Sequence, residues 1–474
     1  MDIISIYFVA LSILSVFIFY LLKNNKYRII FLTLLSCAFI ASFSLNLLIY
    51  VIAYSLVNYF IGLKMPGSAY KKHLFRTGLV LNLIQLIILK YADFTLSPLF
   101  SLINVNADFI LQISEIIIPL GVSFFTLQGI GYLFNIKQGW EKPEKNVIRF
   151  ILYIVFYPKF LSGPIERSNH FLPQLQVAQN FNENVSIGLK LILSGLFRKV
   201  IIANHLVAFV NHGYTGVETL GGLNCILVML IQPLYLYFDF SGYTNLALGF
   251  AKMYGIDLLP NFNRPFLSVN MTNFWRRFHI SLSSWFNDYV FKQTSFRLRK
   301  MKSYATVIAL FITWVLFGIW HGAGWNFMLL GFLQAFAIYY EYLTKRRRAA
   351  IFSRLPEITR KWTGRFFTYC FYGFSLIFFF SPDLTTTFKF IGNLKNAATI
   401  TLNSFLLEPL LFGLFFAIII LIIEVIQEDV EDLFLKIQNF WAQNRLIRLL
   451  VYYLATFLII TQLSGKSSFV YEMF

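Results

Sequence analysis

Residues 305–331 read ATVIALFITWVLFGIWHGAGWNFMLLG, two apolar runs that meet at His321, a single histidine among glycines. The first run on its own approaches the roughly 20 apolar residues that cross a bilayer as a helix. Cationic side chains close the apolar region at Lys302 and at Lys345. The stretch therefore predicts a membrane-embedded helical pair whose turn lies near His321.

The composition of the whole chain supports this prediction. Its 474 residues are 58% hydrophobic and only 13% charged, whereas average soluble domains carry roughly 25% charged residues. Further long apolar runs lie at 3–22, 222–238, 404–426 and 447–463. We predict an all-α polytopic membrane protein with roughly eleven transmembrane helices plus re-entrant or interfacial helices.

The net charge of +18 lies in short basic clusters between the apolar runs. This is the positive-inside pattern of membrane proteins and does not indicate nucleic-acid binding. Clusters at 23–28, 64–76 and 137–149 alternate with the loop 93–115, which holds acidic residues and no Lys or Arg. The alternation predicts an N-terminus outside and basic clusters in the cytosol. Cytosolic residues 427–448 then place the C-terminus outside as well.

We interpret residues 1–474 as one integral membrane domain with three zones. Ordinary helices are expected in 1–135 and in 346–474. Between them, the apolar runs of 136–345 are interrupted by Pro, Gly, Arg and His. Interrupted helices at membrane depth are tolerated only where they are buried in protein or line a wet cavity. The zone 136–345 is therefore where we expect a catalytic core.

Residues 270–291, NMTNFWRRFHISLSSWFNDYVF, suggest a helix within this core. Asn270 or Thr272 could cap it, and its aromatic residues recur at spacings of three and four. On such a helix His279 would lie one turn beyond Trp275 on a shared face. We predict one amphipathic or re-entrant helix near the cytosolic interface. A plain surface helix would explain the arginines but not a histidine between apolar neighbours.

His321 allows two interpretations. A histidine in a membrane segment is costly unless it is neutral and hydrogen-bonded. It could be a packed side chain between helices, or a general base with a pKa near neutrality. Gly318, Gly322 and Gly324 would permit close helix packing or close approach of a ligand, and Trp320 could form a wall.

Asp239 lies within the polar-interrupted stretch 237–250, YFDFSGYTNLALGF. A carboxylate in an apolar run is costly unless it is paired or faces water. It could line a polar passage, but a structural network between helices is favoured. His170, in the loop that follows Gly163-Pro164, is a weaker candidate for a functional residue.

Motifs of other enzyme classes are missing from the sequence. It contains no glycine-rich phosphate loop, no HExxH, no paired CxxC and no GxSxG. Its cysteines, Cys37, Cys225 and Cys370, lie in apolar surroundings at no metal-like spacing. We therefore expect neither a metal site nor a disulfide framework.

Four blocks of the sequence, in order, resemble the membrane-bound O-acyltransferases. They are PLGVSFFTLQGIGYLFNIKQG (119–139), YPKFLSGPIERSNHFLPQL (157–175), a central block (235–291) and FGIWHGAGWNFMLLG (317–331). A lone WHG would mean little, whereas four blocks in one order are specific. The resemblance is closest to the bacterial branch that contains the alginate O-acetyltransferases and the membrane protein of teichoic-acid D-alanylation.

The resemblance implies a fold with a central tunnel and names the site. His321 would be the catalytic base, with a contribution of about 10²–10⁴-fold, and His279 the second histidine. Candidates for the tunnel lining are Asp239, Asn273, Trp275, Trp320, Gly322 and Gly324.

The resemblance also implies substrates and partners. An acyl group, acetyl by preference, would arrive as a cytosolic thioester on acetyl-CoA or an acyl-carrier protein. It would leave on a hydroxyl of a cell-envelope polysaccharide or on a periplasmic or extracellular acyl-accepting protein. The expected surroundings are the lipids of a bacterial cytoplasmic membrane, with no nucleic acid and no metal.

Other functions remain open at this point. Residues 291–305, FKQTSFRLRKMKSYA, depart from the proline-glycine-glycine-asparagine-like stretch of alginate-type relatives. D-alanyl transfer to teichoic acid from a carrier protein is therefore an alternative. A transporter of polysaccharides or small molecules would also use broken helices, and a structural assembly subunit would explain the glycines. Two histidines with few intramembrane acids favour the enzyme.

Overall fold

The computed structural model describes residues 6–92, 94, 120–176, 180–218, 220–395 and 404–463. Regular structure in these ranges is helical, and extended residues pair only in the isolated bridge between Phe262 and Phe278. The all-α prediction is thus confirmed. The acidic loop 93–115, apart from residue 94, and the start of the block at 119 lie outside the described residues.

Residues 1–192 and 244–260 form one compact unit. Its helices are α1 (Ile6–Leu21), α2 (Asn25–Ala41), α3 (Leu45–Lys64), α4 (Lys71–Lys90), α5 (Val122–Gln138), α6 (Val147–Val155), α7 (Tyr157–Phe160), α8 (Ser168–Gln174) and α9 (Phe181–Leu196). Helix α5 is the centre of this unit, because every residue from Phe124 to Ile136 is buried. A helix that is apolar all round is expected in such a buried position.

Residues 193–243 and 261–474 form the second unit. Its helices are α10 (Asn204–Thr215), α11 (Gly222–Met253, of which residues 244–253 belong to the first unit), α12 (Met271–Phe274), α13 (Ile280–Phe286), α14 (Lys292–Arg297), α15 (Ser303–His321), α16 (Trp325–Phe352), α17 (Glu357–Phe380), α18 (Leu384–Asn393), α19 (Ser404–Asp429), α20 (Glu431–Gln443) and α21 (Arg445–Gln462). Two π-helical stretches, Phe197–Ala203 and Asn287–Phe291, and short 3₁₀ turns at Pro265–Leu267 and Arg299–Met301 complete it.

Seven helices in the described ranges are long and apolar enough to cross a membrane. They contain Leu45–Lys64, Lys71–Lys90, Gly222–Met253, Ser303–His321, Trp325–Phe352, Leu406–Asp429 and Arg445–Gln462. The predicted runs at 222–238, 305–320, 404–426 and 447–463 each lie almost wholly within one of them. The expectation of roughly eleven spans covers the whole chain, whereas these seven are counted in the described ranges, where a further apolar run folds as the shorter helix Phe8–Leu21.

The prediction of one continuous helix over 270–291 is wrong. Asn270 does cap a helix, because its side chain accepts a hydrogen bond of 2.8 Å from the backbone N–H of Asn273. This helix, α12, already ends at Phe274. His279 adopts a left-handed backbone conformation with φ of +48°, and α13 starts only after it. Trp275 and His279 therefore do not share a helical face.

A residue from upstream fixes this break. The backbone carbonyl of Asn261 accepts a hydrogen bond of 3.0 Å from the N–H of Ile280. Its side-chain oxygen accepts a second one of 2.6 Å from the hydroxyl of Ser281. Asn261 also accepts a hydrogen bond from the backbone N–H of Ser281, so it binds two N–H groups of the first turn of α13 that a continuous helix would have satisfied itself.

Ion pairs at the C-terminal end of α19 hold the segment that leads into His279. The carboxylate of Glu428 pairs with Arg264 at 3.2 Å and with Arg277 at 2.8 Å. The next residue, Asp429, forms a bidentate ion pair with the guanidinium group of Arg365, and one of its two hydrogen bonds is 2.9 Å long. The segment from Arg264 to Arg277, which leads into His279, is therefore tied at both ends to one helix terminus.

Candidate active site

The helical pair predicted around His321 is present. Helix α15 ends at His321, α16 begins at Trp325, and the glycines between them form the turn. At Gly318 and Gly331 the backbone of one helix touches that of the other, so neither position has room for a side chain. His321, with 6% of its surface exposed, is thereby fixed at the end of a closely packed pair.

His279 and His321 come together. Their ring centres lie 6.5 Å apart, and both side chains line one cavity of about 20 Å³. The two histidines therefore face a common internal cavity. A space of that size holds about one or two water molecules, so it admits a small group only.

Aromatic rings surround the two imidazoles. The walls include Trp275, Phe278, Phe317, Tyr372 and Phe379. Phe317 and Phe379 stand edge-on to His321, with ring centres at 4.9 and 5.6 Å. The cavity is thus a largely apolar environment in which any charge is poorly solvated.

His279 is fully buried and lies outside the seven candidate spans. Burial lowers the pKa of its imidazole to about 3. The ring is therefore neutral near pH 7 and can take part in hydrogen bonds, but it is a weak base.

The cavity contains a polar group that the sequence analysis did not single out. Gln334, on α16, is 1% exposed and lines the cavity. The indole N–H of Trp275 donates a hydrogen bond of 3.1 Å to its side-chain oxygen. The signal in the sequence was one glutamine within an apolar run, which also fits an ordinary buried amide. Tyr372, on α17, also lines the cavity and was not singled out by the sequence analysis either.

Apart from Trp275, the residues predicted for the tunnel are not among the described residues that line the cavity. The ring of Trp320 lies 5.0 Å from that of His321 and 6.0 Å from that of His279. Gly322 makes room for the Phe327 ring, which a Cβ would approach to 2.2 Å, and Gly324 makes room for Asn326. Asn273 lies in α12 next to the cavity residue Trp275.

Asp239 is completely buried and forms an ion pair with Lys199, which lies in the π-helical stretch Phe197–Ala203. The side chains are 0% and 2% exposed. This arrangement fits the favoured interpretation of Asp239 as part of a network between helices. A neighbouring pair, Arg198 and Glu424, is completed by a hydrogen bond of 2.5 Å from the hydroxyl of Tyr237 to Glu424.

His170 lies in the first unit and pairs with a buried carboxylate. Its Nδ1 lies 2.9 Å from an oxygen of Glu166. The hydrogen bond to Glu166 raises the pKa of His170 above its ordinary value. The other carboxylate oxygen of Glu166 accepts a hydrogen bond from the backbone N–H of Leu259. The contact between Glu166 and Leu259 joins two loops, and His170, which lies in α8, pairs with the same carboxylate.

Comparison with known proteins identifies the family. The model of the membrane-bound O-acyltransferase family, MBOAT, matches residues 145–382, about half of the chain, and the match includes both histidines and Gln334.

The chain belongs to the membrane-bound O-acyltransferase family.

Relatives within this family act on different polymers. The chain is 30% identical over 316 residues to the probable alginate O-acetylase AlgI of Pseudomonas aeruginosa, an alignment that covers 66% of this chain and 60% of that protein. It is 30% identical over 398 residues to the peptidoglycan O-acetyltransferase of Helicobacter pylori, covering 77% and 73%. It is 33% identical over 224 residues to the teichoic acid D-alanyltransferase of Bacillus subtilis, covering 46% and 57%. The alignments thus span less than two thirds of the length of the alginate relatives.

The described ranges of the chain carry no cluster of metal ligands. No group of three or more His, Cys, Asp or Glu side chains is close enough there to hold a metal ion. The chemistry of its cavity is that of two imidazoles, an amide and aromatic rings.

Proposed function

We propose that the protein transfers an acetyl group from a thioester to a hydroxyl group of a cell-envelope glycan. The observation that carries this proposal is the pair of imidazoles 6.5 Å apart in one aromatic cavity. The pair lies in the part of the chain that matches the acyltransferase family. Relatives named as O-acetylating enzymes of alginate and peptidoglycan support the acetyl group and the glycan.

In the proposed reaction His321 is the general base. It takes the proton of the acceptor hydroxyl as the oxygen attacks the thioester carbonyl carbon, and the carbonyl electrons move onto its oxygen. The carbonyl then reforms, the carbon–sulfur bond breaks, and the leaving thiolate takes the proton from His321. The products are an ester and a free thiol. A positioned base contributes about 10²–10⁴-fold, and exclusion of water from the cavity prevents hydrolysis of the thioester.

The cavity favours acetyl over D-alanyl. A D-alanyl group carries an ammonium, which would need a carboxylate or several strong acceptors in an apolar site. The described residues that line the cavity include no carboxylate. An acetyl group is uncharged and small, in keeping with a space of about 20 Å³. D-alanyl transfer is therefore the less supported alternative, despite the relative from Bacillus subtilis.

We further propose where the substrates come from. The donor, acetyl-CoA or an acyl-carrier protein, would approach from the cytosol, and the acceptor from the outer side. The acceptor would be the glycan itself or a relay protein outside the membrane. The chain would lie in the cytoplasmic membrane of a bacterium with both termini outside, as its basic clusters predict.

The test is glycan acylation in cells that lack the native copy of the protein. These cells carry either the wild type or His321→Ala, matched for the amount of protein in the membrane. His73→Ala, at an exposed histidine of α4, is the matched control. Mass spectrometry of the released envelope glycan should show an acetyl mass with the wild type and the control, and its loss with His321→Ala.

The other results would contradict parts of the proposal. Loss of an alanyl mass would replace acetyl by D-alanyl transfer. Unchanged acylation in His321→Ala would contradict the role of this histidine as base. A glycan that is never acylated but still fails to reach the surface in the mutant would indicate a transporter.

A further inference from the structure

The cavity holds a hydrogen-bond donor that no described protein group uses. The side-chain nitrogen of Gln334 is buried and has no hydrogen-bond partner among the described residues. An unpaired buried amide N–H group costs roughly 1–3 kcal/mol. Such a group is uncommon in a native interior, and in a cavity next to two histidines it indicates a ligand.

The orientation of the amide follows from its neighbour. An indole N–H can only donate a hydrogen bond. The atom of Gln334 that lies 3.1 Å from Nε1 of Trp275 must therefore be the oxygen. This contact leaves the NH₂ group as the free end of a side chain that lines the cavity. Trp275 is itself held between Trp314 and Phe317, with ring centres at 4.8 and 4.9 Å.

We propose that Gln334 is the oxyanion donor of the acyl transfer. Its NH₂ group would bind the thioester carbonyl oxygen and stabilise the negative charge that develops there when the hydroxyl attacks. This inference rests on the proposed function. Trp275 is then a positioning residue for the amide, because its indole N–H holds the side-chain oxygen of Gln334.

The surroundings make this one donor effective. Apart from its histidines and Gln334, the cavity is lined by aliphatic and aromatic residues, so a hydrogen bond to a developing charge is stronger there than in water. The amide is already held in place, so little reorganisation is needed during the reaction. Loss of a single oxyanion donor lowers kcat by about 10²–10³-fold in acyl-transfer enzymes.

Two substitutions separate catalysis from structure. Gln334→Glu keeps an oxygen that can accept from Trp275 but replaces the NH₂ donor by a carboxylate oxygen. Gln334→Met removes both the accepting oxygen and the NH₂ donor and keeps the length of the side chain. If Gln334 is the oxyanion donor, both variants lose kcat. If it only holds Trp275, the glutamate variant stays active.

A second buried glutamine provides the control. Gln232, on α11, accepts a hydrogen bond from the hydroxyl of Tyr214 and donates one of 2.7 Å to the carbonyl of Gly373. Both ends of its amide are therefore paired within the protein, and it is not among the residues that line the cavity. Gln232→Met should lower the thermal stability while the rate per folded molecule stays close to that of the wild type.

The experiment measures transfer of radiolabelled acetyl from acetyl-CoA to glycan in membranes that contain the full chain. Rates are taken at several acetyl-CoA concentrations and normalised to folded protein. We expect kcat to fall by about 10²–10³-fold in both Gln334 variants, with KM for acetyl-CoA within a few-fold of the wild-type value.

Two results would contradict the proposals, and each of them contradicts a different one. Wild-type rates in Gln334→Glu would overturn the role of Gln334 while leaving the proposed function intact. A wild type that transfers no more label than His321→Ala would overturn the proposed function, and this inference with it.

Discussion

Gly318 and Phe327 touch through their backbones: a Cβ on Gly318 would lie 2.1 Å from the carbonyl oxygen of Phe327. A carbonyl oxygen in a helix cannot rotate away as the end of a side chain can. A Cβ on Gly331 would meet the carbonyl oxygen of Trp314 at the same distance. The separation of α15 and α16, and with it the position of His321, is therefore fixed by positions without side chains.

Gly318→Ala should therefore force the two helices apart. Overpacking of this kind costs about 1–3 kcal/mol, so the thermal midpoint in detergent should fall and acyl transfer should fall with it. Gly392→Ala, in α18, is the control because nothing lies within 4 Å of the added Cβ. It should be neutral or stabilise the helix by up to about 1 kcal/mol. Equal midpoints for the two variants would contradict the tight packing.

His279→Asn tests the second histidine without disturbing the backbone. Asparagine tolerates the left-handed conformation that His279 adopts at φ of +48°. We expect wild-type thermal stability but a transfer rate reduced by roughly 10–100-fold, as for one lost hydrogen bond to a charged group. His279→Val, with its branched Cβ in the same conformation, should also lose about 1–2 kcal/mol of stability. A fully active asparagine variant would remove His279 from the site.

Asp239 can be assigned to structure or to catalysis by a double substitution. Asp239→Asn alone leaves Lys199 buried without its charge partner, which typically costs about 3–5 kcal/mol. Lys199→Met with Asp239→Leu removes both charges and should recover much of that stability. If the pair is structural, the double variant should regain acyl transfer as well. A stable but inactive double variant would place Asp239 in the reaction.

The contact between His170 and Glu166 predicts a dependence of stability on pH. The folded-state pKa of His170 is raised by this hydrogen bond, so the contribution is fully present below about pH 6.5 and is lost as the pH rises through the folded-state value. The effect should be small, about 1 kcal/mol or less, because the His170 side chain is 39% exposed. The nearby Asp257 acts in the same direction.

His170→Gln is the matching variant, since glutamine can still donate to Glu166 but does not titrate. Thermal midpoints measured in steps between pH 5.5 and 8, a window of about one to two units around the ordinary histidine pKa, should decline for the wild type and change less for the variant. Parallel curves for the two proteins would show that another group titrates in this range.

The hairpin around His321 could be predicted because its signal is local. Two apolar runs, charges at their outer ends and glycines between them specify two membrane helices and a turn. The polytopic fold follows from the same reasoning, repeated along the chain. The pairing of Asp239 could be expected from its burial, but the partner Lys199 could not be named, because it lies on a different element.

The break at His279 could not be predicted. Its cause is a set of hydrogen bonds that Asn261 accepts, and Asn261 lies 20 residues away from Ser281 in sequence. Neither Gly nor Pro marks the position, and histidine is only moderately enriched in left-handed conformations. Gln334 was missed for a similar reason. Its role depends on which of its atoms faces Trp275, which is a property of the assembled site.

The carboxylate of Glu428 pairs with both Arg264 and Arg277 and so brings the two ends of the segment between them together. Bringing the two ends of a segment together has an entropic cost. Here the ion pairs that offset this cost are formed by a carboxylate on α19, which lies far away in the sequence. The ion pairs that hold both ends of the segment form only once α19 is in place. His279 follows this segment directly, so the C-terminal part of the protein contributes to the position of the second histidine.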